Sequence, residues 1–155
     1  MIDFVKSLLT DFDPAAFLPD LNAIFGWLEL AMRICVLAAP LSVLGFGLLY
    51  LLAAPKEANH KLGYRFYWGM SSVEVWQFTQ RLAGLVWTVL GMGMTIYMAI
   101  SCNGYRDMSQ EEMIFSAMGS LVKELILIVA SILVINLTVF ICYDRKGYPR
   151  RRKRR

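Results

Sequence analysis

Charged residues are absent from three stretches of the chain, 34–55, 82–103 and 125–143, and each run is 19 to 22 residues long. At ~1.5 Å of rise per residue, a helix of that length crosses ~30 Å of hydrocarbon. The pattern predicts an all-α fold, a three-helix transmembrane bundle with spans at about 28–54, 80–102 and 121–143. A membrane domain over 23–143 is thus expected between an amphipathic segment over 1–22 and a disordered polybasic tail over 144–155.

Polar positions refine the ends of these elements. Ile2, Val5 and Leu9 recur at helical spacing, with Met1, Phe4 and Leu8 beside them, so the N-terminus reads as a short helix lying on the membrane surface. Pro14 and Pro19 end it. Glu29 and Arg33 are four residues apart, which suits an ion pair near the outer interface that serves as an anchor or as part of a binding site. Pro40 should kink the first span, where Gly45 and Gly47 permit close helix approach. Ser71 with Glu74, and Ser109 with Glu112, have the spacing of a capping box, placing the starts of the second and third helices there.

On the second helix Glu74, Gln77, Arg81, Gly84, Thr88, Gly91 and Thr95 follow one another at steps of three and four, and so share one face. Gly84, Thr88, Gly91 and Thr95 form the small-residue part of that stripe, suited to close packing in lipid. Glu124, Ser131 and Thr138 make a weaker stripe on the third helix, and Asn136 is expected to hydrogen-bond to another helix.

Composition agrees with a bilayer as solvent: 57% of the 155 residues are hydrophobic and the mean hydropathy is +0.51. Charge then sets the threading, because Lys and Arg beside a span stay in the cytoplasm. Arg145, Lys146 and the run from Arg150 to Arg155 place the C-terminus inside, and three crossings leave the N-terminus, with Asp3, Asp11, Asp13 and Asp20, outside the cell membrane. Such a tail is expected to lie on anionic lipid headgroups rather than on nucleic acid. Cys35, Cys102 and Cys142 lack metal-ligand spacing and are expected as free thiols in a packed interior, with a Cys35–Cys102 disulfide as the alternative. No metal or cofactor is expected. The single histidine, His60, has no partner at motif spacing, and no catalytic fingerprint occurs, so the chain reads as a non-enzyme.

The connection into the second helix reads PKEANHKLGYRFYWGMSSVEVWQFTQRLAG. Pro55, Asn59, Gly63, Tyr64, Arg65, Ser72, Glu74, Trp76, Arg81 and Gly84 give N-x3-G-[YF]-R, E-x-W and R-x2-G in succession, and here the chain resembles the SdpI family of small bacterial membrane proteins. The resemblance covers about 34–103, the first two spans and their loop. Phe66 and Tyr67 stand where that family usually has Thr and often Pro. The resemblance implies a role in immunity to a secreted toxic peptide or in signalling through a regulatory protein held at the membrane. Asn59, Gly63, Arg65, Glu74, Trp76 and Arg81 are the corresponding candidates for a cytoplasmic-side binding site.

The residues have readings of their own. Gly63 permits a tight turn, Arg65 suits a carboxylate or phosphate and can bridge to Glu74, and Trp76 suits the headgroup level. The same residues could simply anchor the loop to the bundle. Partner binding is preferred; an accessory subunit of a larger membrane complex and a transporter or channel built as a homo-oligomer are the alternatives.

Overall fold

The computed structural model describes residues 21–54 and 63–150, with side chains from Gly26 onward. The N-terminal amphipathic segment, Asn59, His60 and Arg151 to Arg155 lie outside the described residues. Three long helices carry the chain: α1 (Leu21–Leu52), α2 (Val73–Asn103) and α3 (Gln110–Cys142). Each is long and apolar enough to cross a membrane. At 31 to 33 residues they exceed ~30 Å of hydrocarbon, so polar turns project past it or the helices tilt.

Helix ends follow the side chains that satisfy their free amides. Ser109 and Glu112 form a complete capping box at the start of α3. At α2 the cap falls one residue later than the Ser71 and Glu74 spacing implies. The Ser71 hydroxyl donates to the Trp68 carbonyl at 2.7 Å, closing the 3-10 turn Trp68–Met70, and Ser72 caps Val75 N–H instead. Helix α1 continues through Pro40, whose ring is fully buried.

The bundle is apolar outside and partly polar inside. Leu85, Val89, Ile96 and Ile100 on α2, and Leu125, Ile126, Leu133 and Ile141 on α3, are exposed, whereas Thr79, Gln80, Ser120, Glu124 and Ser131 are buried. Water would not tolerate that arrangement as a stable surface, while lipid favours it.

Helices α1 and α2 make the most extensive contact. Their seam is antiparallel and built on glycine: Gly91 lies on the backbone of Leu44, Gly47 on the backbone of Trp87 and Thr88, and Gly84 on Leu51. The Thr95 hydroxyl turns back to the Gly91 carbonyl at 2.7 Å. Helix α3 joins through the Trp87 indole, which donates to Ser131 Oγ at 3.1 Å, and through Ile135, which packs with Tyr64 and Ala83. A second core cluster at the far end of the bundle unites Val36, Met98, Cys102, Tyr105, Met113 and Ala117. All three cysteines are free thiols, yet only Cys102 is interior, since Cys35 and Cys142 are exposed on the helix surfaces.

The first residues after α3, Tyr143 to Arg150, form a turn. Asp144 accepts hydrogen bonds from the backbone of Lys146 and Tyr148, and Gly147 donates to the Asp144 carbonyl. This is a tight turn of the Asp-x-x-Gly type, closed by the bridge between Tyr143 and Pro149.

Candidate functional site

The segment after residue 62 folds back onto α2 instead of extending into solvent. Gly63 adopts φ +122°, and a Cβ there would lie 2.6 Å from Cη2 of Trp76 and 3.1 Å from Oε1 of Gln80. Only glycine brings the backbone flat onto the indole in that conformation. The next residue is clamped by one side chain: Tyr64 N–H donates to Gln80 Oε1 at 2.7 Å, and Gln80 Nε2 donates to the Tyr64 carbonyl at 2.8 Å. The amide thus satisfies both backbone groups of a buried residue, as a neighbouring strand would.

The Tyr64 side chain ties the loop to the third helix. Its hydroxyl donates to Asn136 Oδ1 at 2.7 Å and its ring stands edge-on to Trp87 at 5.5 Å. Burial pushes the phenol up from its ordinary value, and the bond to Asn136 opposes this less strongly, so the hydroxyl stays a neutral donor. Asn136 therefore bonds to the loop, and not to another helix. Further along, Trp68 packs edge-on against Phe140 at 5.3 Å, and Gly69 presses on Thr79. From the other side the C-terminal turn seats on the α2 cap, where Ser72 Oγ donates to the Gly147 carbonyl at 3.4 Å. Arg145 lies over Trp68 and Arg150 over Phe140.

The candidate residues divide between the inside and the outside of this structure. Gly63 and Trp76 lie in the packed part: Trp76 is fully buried beneath the loop, and so presents no surface to headgroups. Arg65, Glu74 and Arg81 are exposed around it. The Arg65 charge is felt at Tyr50 and that of Glu74 at Tyr143, so each acts on a different neighbour. Arg81 lines a cleft of about 250 Å³ with Tyr50, Leu51, Ala54, Gln77 and Gln80. Tyr64 and Gln80 complete the site and were not candidates from the sequence. A signal exists in Trp76, Gln80, Ala83 and Trp87, which make a second packed face on α2 beside the small-residue stripe. Among the described residues no group of three or more His, Cys, Asp or Glu could hold a metal ion.

The Tyr64 tether sets one expected result. Tyr64→Phe keeps the ring contacts and removes the bond to Asn136, so it should cost about 1 kcal/mol, the net scale of one side-chain hydrogen bond. Thermal unfolding in detergent reads this, and no loss relative to wild type would show that the bond contributes nothing.

Residues 56–144, from the loop through the second and third spans, match the family model described as the SdpI/YfhL protein family. The match covers more than half of the chain; it begins after α1 and takes in α2 and α3, whereas the motif resemblance covers about 34–103, the first two spans and their loop. No curated protein and no solved structure matches. With three apolar helices and a docked Gly63-Tyr64-Arg65 loop inside the matched stretch, the chain is a membrane protein that belongs to the SdpI/YfhL family.

Proposed function

We propose that the chain is a non-enzymatic membrane protein that binds a toxic peptide or a regulatory protein, in immunity or signalling, through the exposed rim of the docked loop. What carries this reading is the Gln80 clamp on Tyr64. It fixes a loop whose neighbouring residues, Arg65 and the 83% exposed Tyr67, are open to the surroundings. Fixing a loop costs conformational entropy, and a preorganised surface recovers that cost when a partner binds. An exposed arginine and an aromatic residue are the side chains that most often anchor such contacts.

Charge supports placing this rim in the cytoplasm. The tail carries Arg145, Lys146 and Arg150 to Arg155, each adding about 1 kcal/mol of attraction to anionic headgroups. The N-terminus would then be outside, and a reporter fused after Arg155 should report from the cytoplasm.

The test is co-purification of tagged full-length protein from native membranes in mild detergent. Arg65→Ala with Arg81→Ala should reduce the recovered partner about tenfold, the effect of losing roughly 1.4 kcal/mol of charge-assisted contact, with the thermal midpoint unchanged. Full recovery by the double variant would sink the proposal. Toxin challenge of cells carrying the same variant separates immunity from signalling.

A further inference from the structure

Glu124 is 1% exposed, deep in the third apolar helix, and neither of its carboxylate oxygens has a hydrogen-bond partner. Burial dominates its surroundings. An ionised carboxylate in that position would cost several kcal/mol, and bundles do not retain such a group for packing.

A polar path leads from solvent toward it. At the end of the bundle opposite the docked loop, a cleft of about 410 Å³ is lined by Glu29, Tyr105, Arg106, Ser109 and Gln110 among others. The Tyr105 ring passes inward from this cleft, and its buried hydroxyl makes no hydrogen bond of standard geometry, with only looser polar neighbours. That hydroxyl lies close to Cys102, Ser116 and Ser120. Ser120 is buried one helical turn before Glu124, and Cys102 on α2 feels the Glu124 charge. Three cations lie around this region, and Arg106 lines the cleft itself. On α1, Arg33 is paired with Glu29 at 2.6 Å and its charge reaches Cys102. On α3, Lys123 is turned to an apolar groove with Tyr97 and Ile126.

We propose that Glu124 is a proton-binding site inside the bundle, which exchanges its proton with the cleft through Tyr105. In uptake, the Tyr105 hydroxyl releases its proton inward along Ser120 or Cys102 to the carboxylate. It takes another from water in the cleft, so one proton enters and the relay is restored. Release reverses the sequence. Proton occupancy at Glu124 therefore decides whether the interface of α2 and α3 contains a neutral or a charged group.

Infrared spectroscopy of the full-length protein in phosphatidylcholine nanodiscs tests this. At neutral pH the wild type should show the carbonyl stretch of a protonated carboxylic acid, lost on alkalinisation and absent from Glu124→Gln. Tyr105→Phe should slow the deuterium shift of that band about a hundredfold, the lower end of what one positioned proton-transfer group contributes. No such band in the wild type, or its persistence in Glu124→Gln, would overturn the site; an unchanged exchange rate in Tyr105→Phe would overturn the relay. If Glu124→Gln does not fold, a hydrophobic carbodiimide applied to the wild type replaces it. Modification at Glu124 supports the site, and modification confined to exposed Glu111 and Glu112 overturns it.

Discussion

Gly91→Ala is expected to destabilise the bundle by about 3 kcal/mol, at the upper end of overpacking costs. The new Cβ would lie 2.7 Å from Cα of Leu44 and 2.9 Å from its Cβ. No rotamer change relieves a clash with a main chain, so α1 and α2 must separate. Separation also weakens the contacts of Gly47 with Trp87 and Thr88 and of Gly84 with Leu51, because the three sites form one seam. Gly47→Ala should cost a similar amount, and the double variant less than the sum, since either change alone already opens the seam. Gly93→Ala is the control: its Cβ meets nothing within 4 Å, and alanine is the better helix former. Thermal or denaturant unfolding in one detergent compares them. Equal stabilities for Gly91→Ala and Gly93→Ala would refute the seam as the element that joins α1 to α2.

The reasons these positions were legible in the sequence differ from one to the next. Gly84, Thr88 and Gly91 stand out because a stripe of small residues along an apolar helix has few other uses in lipid. The Glu29–Arg33 pair and the Ser109–Glu112 box are contacts within a single turn, which spacing alone specifies. The clamp of Gln80 on Tyr64 spans sixteen residues and joins a side chain to a backbone, so no periodicity announces it. Trp76 shows a related limit: a tryptophan near the end of a span has the same sequence signature whether headgroups or a returning loop covers it. In the tail, the run of arginines masks the turn grammar of Asp144 and Gly147. Of the candidate site, then, the rim was visible through its charges, while the device that holds the rim was not.

That device gives the second large effect. Gly63→Ala should undock the loop while leaving the three helices folded. Two costs act together at this position. At φ +122° an alanine is strained by about 1–3 kcal/mol, and its Cβ would lie 2.6 Å from the Trp76 ring. The ring is fully buried and cannot swing aside, so the loop yields instead. Undocking costs Tyr64 both bonds to Gln80 and the bond to Asn136, each buried group left unpaired adding about 1–3 kcal/mol until water reaches it. Trp76 then meets solvent. The expected signature is red-shifted tryptophan emission, faster proteolysis within residues 63–70, and unchanged helix content by circular dichroism. Because Arg65 and Tyr67 would lose their fixed outward placement, partner recovery should fall with docking even though both side chains are intact. A Gly63→Ala protein that kept its emission maximum and its protease resistance would mean that the loop is held by something other than the glycine contact on Trp76.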